Sequence, residues 1–229
     1  MNPLRNYIRS IGKIHSFDEL EAELNKEDHL TICPPELFDF LDSIIPRLVT
    51  NKIPGDFVEA GVWKGGTAMY MKALKDQFNI KNDLWLFDTF NGFEVVPSAE
   101  HPKDKKMFDF FSTFKIAAPT VENVKDNFKK LELLDDSVHF IKGNILTTLP
   151  ITKIDHISLL HIDLDFAEIT QKSLEGFYPS VSPGGIVIID DYGVQEFNCK
   201  EAVDAFRSAN GITNKINFIN EHMAYWIKS

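Results

Sequence analysis

The sequence predicts an α/β domain built on a mostly parallel sheet. Three observations carry this. Short apolar runs recur along the chain, each followed by a segment of helical spacing, which is the pattern of strands buried on both faces. Two of these runs end in paired acids: Ile157-Ser-Leu-Leu-His-Ile-Asp-Leu-Asp165 in Asp163 and Asp165, and Pro183-Gly-Gly-Ile-Val-Ile-Ile-Asp-Asp191 in Asp190 and Asp191. The 229 residues, 44% hydrophobic and 25% charged, suit one globular domain with additions.

The paired acids organise the rest. Neighbouring parallel strands point their C-terminal ends the same way, and ligands bind at that edge. If the two runs are adjacent, Asp163, Asp165, Asp190 and Asp191 crowd together. Like charges so close are unfavourable unless a cation or a proton offsets them. A hard divalent ion with oxygen ligands, Mg2+, is the expected compensation. The plainer alternative is that Asp165 and Asp191 cap the helices or turns that follow.

The bulk properties exclude some classes. A net charge of −10 disfavours a nucleic-acid partner, since phosphate binding wants a basic face. No apolar run is long enough to cross a bilayer. Met1-Asn-Pro-Leu-Arg5 opens no signal-peptide pattern. Cys33 and Cys199 lack metal-ligand spacing and are expected to be reduced thiols in a cytoplasmic protein. Nineteen Phe residues predict an aromatic core.

Residues 1–50 are expected to form a helical cap on a domain spanning 51–229. Ser16-Phe-Asp-Glu19 fits a capping box opening a short helix to about Asn25. Pro34-Pro35 starts a second helix, with Leu37, Phe38, Leu41, Ile44 and Ile45 on one face. This region either packs on the core or supplies a homodimer contact or a wall of the substrate pocket.

Phe57 to Ala60 form the first strand, entered from a Pro54-Gly55 turn. A glycine-rich turn follows, Glu59-Ala-Gly-Val-Trp-Lys-Gly-Gly-Thr67, into a helix ending near Phe78. Glycines let backbone approach a ligand closely. The dinucleotide fingerprint is absent, because Gly61 is followed by Trp63 rather than glycine. Glu59 would repel a pyrophosphate and suits an amino-bearing ligand better. Asp83 to Asp88 form the second strand, and an acid there can accept hydrogen bonds from a ribose diol. Together these residues describe a nucleoside site without a phosphate cradle.

Residues 91–118 read as an irregular insert, either a lid or a surface excursion packed by its own Phe residues. Pro119 opens a helix to about Leu134, and Val138 to Gly143 form the third strand, with Asn144 or Ile145 lining a base pocket beside its end. The strand and helix of 157–178, the strand of 185–190 and a helix over Glu201–Ala209 follow. Residues 216–220 and 223–228 alternate in hydrophobicity and predict a terminal hairpin.

Several ordered motifs resemble one family. Gly55-Asp-Phe-Val-Glu-Ala-Gly-Val-Trp-Lys-Gly-Gly-Thr67, Leu84-Trp-Leu-Phe-Asp-Thr-Phe90, Gly143-Asn-Ile-Leu-Thr-Thr-Leu-Pro150, Asp163-Leu-Asp165 and Ser182-Pro-Gly-Gly-Ile-Val-Ile-Ile-Asp-Asp-Tyr-Gly193 are similar to macrocin O-methyltransferase-like enzymes. The resemblance runs from about residue 50 to the C-terminus. It implies a class I S-adenosylmethionine-dependent methyltransferase fold with a seven-stranded, mostly parallel sheet and an antiparallel C-terminal hairpin. It implies Mg2+-dependent methylation of a sugar hydroxyl, on a deoxysugar or glycoside. It carries cofactor binding onto Glu59, Gly61 and Asp88, with Gly65, Thr67 and Asn144 as further candidates, and metal binding onto Asp163, Asp190 and Asp191. The family usually reads Tyr-Glu-Ser-Thr after the two aspartates, where this chain has Ala167-Glu168-Ile169-Thr170. Ala167 thus removes a phenol that would touch cofactor or acceptor.

A sugar hydroxyl is a poor nucleophile, and a bound ion that favours its ionised form is a recognised remedy. Asp163 is the expected proton acceptor, with Asp165 and His161 as weaker candidates. Two other classes remain in view. Asp163-Leu164-Asp165 also fits the Asp-x-Asp motif of a metal-dependent glycosyltransferase, although that leaves Glu59 and the glycine turn unexplained. A non-catalytic relative that binds the cofactor is the third.

Overall fold

The structure, a computed structural model, describes residues 29–94, 97–112 and 118–229. The expected Ser16–Glu19 capping box and its helix lie outside the described residues. Helices and strands are numbered here from the first described element.

The sheet has seven strands in the order β3-β2-β1-β4-β5-β7-β6. They are β1 (Asp56–Ala60), β2 (Leu84–Asp88), β3 (Val138–Lys142), β4 (Ile157–Ile162), β5 (Val181–Ile189), β6 (Asn217–Phe218) and β7 (Ala224–Ile227). β1 to β5 pair in parallel, and β7 is antiparallel to both β5 and β6. The expected terminal hairpin is therefore present, with a first strand of only two residues. β5 starts earlier than expected, at Val181, and its register with β4 shifts between Ile157 and Leu159.

Alternate residues of each strand enter opposite cores, as a two-residue side-chain period requires. Phe57, Leu84, Leu86, Leu159, Ile186 and Ile188 face one core. There they meet α1 (Pro35–Thr50), α2 (Gly66–Gln77) and α4 (Val121–Lys130). Val58, Ala60, Phe87, Leu160, Val187 and Ile189 face the other, against α6 (Ala167–Phe177) and α7 (Cys199–Ala209). α1 buries Leu37, Phe38, Leu41, Ile44 and Ile45, the stripe legible in the sequence. Phe38 meets Tyr70 of α2 edge-on at 4.9 Å.

Two expectations need correction. The 91–118 insert is not irregular throughout: Pro102–Phe111 form a helix, α3. Its Asp104 is fully buried and accepts from the backbone N–H groups of Ala167 (2.7 Å) and Asn198 (2.6 Å). One carboxylate thus ties α3 to the start of α6 and to the segment before α7. The helix after Pro119 ends at Lys130 rather than near Leu134, because the chain turns through a left-handed Glu132 (φ 57°). Thr120 caps it by a reciprocal pair of bonds with Asn123. A short turn, α5 (Ile145–Thr148), follows β3 with Asn144 as its cap.

The order of the strands positions the site. β1 leads outward to β2 and β3, while β4 leads the other way to β5. The crevice where the connections diverge lies beyond the C-terminal ends of β1 and β4, the ligand position of open α/β sheets.

Candidate active site

A cavity of about 600 Å³ opens at that crevice. Its size is that of a small-molecule site. Of the residues singled out in the sequence, Glu59, Gly61, Thr67, Asp88, Asn144, Asp163 and Asp165 line it. Gly65 does not: it is the left-handed N-cap of α2 (φ 89°), and Gly66 takes the lining position. Ala167 is fully buried under Asp104 and does not line the cavity, so that position offers no contact to a ligand; Ile169 does line it.

β1 supplies Glu59 and Gly61. A Cβ at Gly61 would stand 1.7 Å from the Asp163 carbonyl oxygen, so only glycine lets the two strand ends meet. Register places Glu59 directly beside His161. Glu59 Oε1 lies 3.1 Å from His161 Nδ1, and His161 Nε2 lies 3.5 Å from Asp190 Oδ1. Burial alone would push the imidazole pKa down. The hydrogen bonds to Asp190 and Glu59 outweigh this and raise it to about 10. Both ring nitrogens of His161 thus face carboxyl groups, Glu59 on one side and Asp190 on the other. Glu59 Oε2 is buried without a hydrogen-bond partner among the described residues. Burial pushes this carboxyl up, with the His161 bond opposing.

β2 ends in Asp88, whose Oδ2 accepts from the N–H groups of Val62 (2.7 Å) and Trp63 (3.0 Å). Its Oδ1 accepts from Phe90 N–H at 2.7 Å. Asp88 thus holds the glycine turn while facing the cavity, with part of its accepting capacity already used. Asn144 spends its Oδ1 on Leu146 N–H at 2.9 Å.

β4 and β5 are neighbours, as the paired acids required. Burial and the adjacent Asp190 push Asp163 well above the usual carboxylate range. Burial, then Asp190, lift Asp165 to about 7. Asp191 rises through burial and Asp165, and its Oδ2 accepts from Asp165 N–H at 3.2 Å. Asp165 itself sits in the left-handed region (φ 59°). Carboxyl groups crowded this closely suit a shared cation or proton.

Cys33, which the sequence reading set aside, reaches the same place. Single ligand atoms of Cys33, Asp163 and Asp190 lie within 4.8 Å of one another. Its position just before Pro34-Pro35 carried no spacing signal, because its partners are distant in sequence. The cavity's remaining wall is aromatic, with Phe93, Phe108, Phe111 and Phe166. Phe93 stacks on Phe111 at 5.8 Å and meets Phe166 at 5.3 Å.

Comparison with known proteins gives consistent results. The profile of the Macrocin-O-methyltransferase (TylF) family matches residues 29–228. The chain is 34% identical over 189 residues to an 8-demethyl-8-(2,3-dimethoxy-alpha-L-rhamnosyl)-tetracenomycin-C 4'-O-methyltransferase of Streptomyces olivaceus, covering 82% of this chain and 71% of that one. It is 31% identical over 215 residues to a mycinamicin III 3''-O-methyltransferase of Micromonospora griseorubida, covering 91% and 84%. Among solved structures, the O-methyltransferase NovP superposes with a TM-score of 0.82 at 31% identity, over 91% of this chain and 88% of that one.

Proposed function

The chain belongs to the macrocin-O-methyltransferase family and has its class I methyltransferase fold, and on that premise we propose that it methylates a hydroxyl of a deoxysugar or glycoside with the help of Mg2+. Use of S-adenosylmethionine follows from the family. The observation that carries the reading is an unpartnered buried Glu59 oxygen in the cavity that Asp163 and Asp165 also line, with Asp190, which does not itself line the cavity, close enough to Asp163 to share an ion.

The residues fit both groups. Glu59 Oε2 would take the ammonium of the cofactor's amino-acid end, which a buried, unpaired acceptor needs. Gly61 and Gly66 leave room along the turn, Asp88 would accept from the ribose, and Asn144 borders the base position. S-adenosylmethionine, when bound, supplies an activated methyl group. Asp163 and Asp190 would supply hard oxygen donors; Asp191, expected as a third, falls outside the group of ligand atoms within 4.8 Å and accepts from Asp165 N–H instead. Mg2+, when bound, supplies Lewis acidity toward the acceptor hydroxyl.

The chain's own residues do the remaining work. The Glu59–His161–Asp190 row fixes Asp190 by the packing of three strands. Asp163 is assigned as proton acceptor, since it lines the cavity at the end of β4. The Phe93–Phe111 wall would exclude water from the acceptor and hold its apolar face. Rate enhancement then comes chiefly from positioning.

The test is calorimetry of S-adenosylhomocysteine with wild type and Glu59→Gln, coupled to an EDTA and Mg2+ add-back assay. Binding that weakens in the variant, and activity lost with EDTA and restored by Mg2+, are expected. Full activity in metal-free buffer would remove the Mg2+ reading.

A further inference from the structure

We propose that Cys33 joins Asp163 and Asp190 in a mixed sulfur–oxygen site that takes a borderline divalent cation of the Zn2+ type, in competition with Mg2+. The inference rests on the reading that this carboxylate pair holds an ion, and it names what decides which ion.

The geometry is that of a ligand set. Cys33 Sγ lies 3.9 Å from Asp163 Oδ2, and one atom from each of Cys33, Asp163 and Asp190 falls within 4.8 Å of the others. The sulfur is held there from several sides. Thr67 Oγ1 donates to it at 3.4 Å, and the Cys33 backbone N–H donates to Thr31 Oγ1 at 3.0 Å. Pro34 and the start of α1 at Pro35 then stiffen the chain behind it. Glu59 Oε2 is given to the cofactor's ammonium, so the charge that an ion here would answer is that of Asp163 and Asp190, both beside the sulfur.

Donor chemistry then sorts the ions. Mg2+ takes oxygen ligands in octahedral geometry and keeps several waters, so the sulfur adds nothing for it. Zn2+ and Cd2+ bind thiolate strongly and accept a four-coordinate site with one open position. Cys33, Asp163 and Asp190 would supply three ligands, and of these Cys33 and Asp163 line the cavity. On binding, the thiol S–H bond breaks, its proton passes to solvent and a metal–sulfur bond forms, with no change of oxidation state. The arrangement makes the centre sensitive to the balance of Zn2+ and Mg2+ around the protein.

The test uses the full chain stripped of metal and titrated with Cd2+. A sulfur-to-cadmium charge-transfer band in the near ultraviolet is expected, saturating at one equivalent. It should persist in Cys199→Ser and vanish in Cys33→Ser. The ratio of Zn2+ to Mg2+ affinity should fall about tenfold or more in Cys33→Ser, at least the loss that removing an outer partner of a ligand brings. If Cys33→Ser fails to fold, Asp190→Asn must shift the band's midpoint to higher Cd2+ with the thiol intact. Absence of the band in wild type, or its survival in folded Cys33→Ser, would overturn the proposal. A band that behaves as expected in a protein needing no Mg2+ would support the sulfur site and remove only the Mg2+ reading.

Discussion

Gly61 and Asp163 lie in contact across β1 and β4: a methyl group on the glycine would stand 1.7 Å from the aspartate carbonyl oxygen. That contact fixes how closely the end of β1 approaches the end of β4. Gly61 also has a φ of 89°, which an L side chain rarely adopts.

Gly61→Ala is therefore expected to lose stability on two counts. Overpacking and backbone strain each cost about 1–3 kcal/mol. Thermal unfolding should show a clear drop, and the folded fraction should bind S-adenosylhomocysteine more weakly. Wild-type stability in this variant would mean that β1 and β4 end further apart than described.

Asp104 is the anchor of the insert. Replacing it with Asn leaves at most one acceptor for two buried N–H groups, at a cost of about 1–3 kcal/mol. Hydrogen exchange should rise across 102–111 and at Ala167 and Asn198. Unchanged exchange there would show that α3 is held by its aromatic contacts alone. The anchor also narrows the lid expectation: any closure over the cavity would involve the Phe93 side of the insert rather than α3 as a whole.

How much of this was legible depended on whether the signal was local. The strands were legible because Phe57–Ala60, Ile157–Ile162 and Gly185–Ile189 are short apolar runs with punctuation on both sides. The carboxylates were legible because each pair directly follows a strand. α3 was not, since Lys103, Lys105 and Lys106 break the apolar pattern and its one buried acid is satisfied by residues about 60 and 90 positions away. The Glu59–His161–Asp190 row depends on register between strands far apart in sequence, so a strand histidine gave no sign of its two carboxyl neighbours. Cys33 reaches the centre only through the tertiary placement of the segment before α1.

A pH-dependent contribution to stability comes from Asp135, which pairs with Lys72 at 2.9 Å. Burial alone would raise its pKa, but hydrogen bonds from Ser137 and Lys72 hold it at about 2, below the ordinary 3.8. A folded value below the unfolded one gives stability that is present above 3.8 and lost as pH falls toward 2. Because the Asp135 side chain is 55% exposed, solvent screening limits the pair to roughly 0.5–1 kcal/mol. Urea unfolding should find Asp135→Asn less stable by that amount at neutral pH and equal to wild type at the acid end. A deficit independent of pH would contradict this.

Asp88→Ala should weaken S-adenosylhomocysteine binding by about 1.5–3 kcal/mol, the scale of hydrogen bonds to a charged group. It also frees the Val62 and Trp63 N–H groups, so protection of the glycine turn should fall in the same variant. Unchanged affinity in a titration would show that Asp88 serves the turn alone.

The most direct test of the sugar O-methyltransferase assignment is mass spectrometry of acceptors incubated with the protein, Mg2+ and S-adenosylmethionine carrying a deuterated methyl group. A panel of rhamnosides and other deoxysugar glycosides is expected to yield a product with one labelled methyl on a sugar hydroxyl, absent with EDTA and absent in Asp163→Asn. Label that stays wholly on the cofactor across the panel, in a protein shown to bind that cofactor, would contradict the assignment.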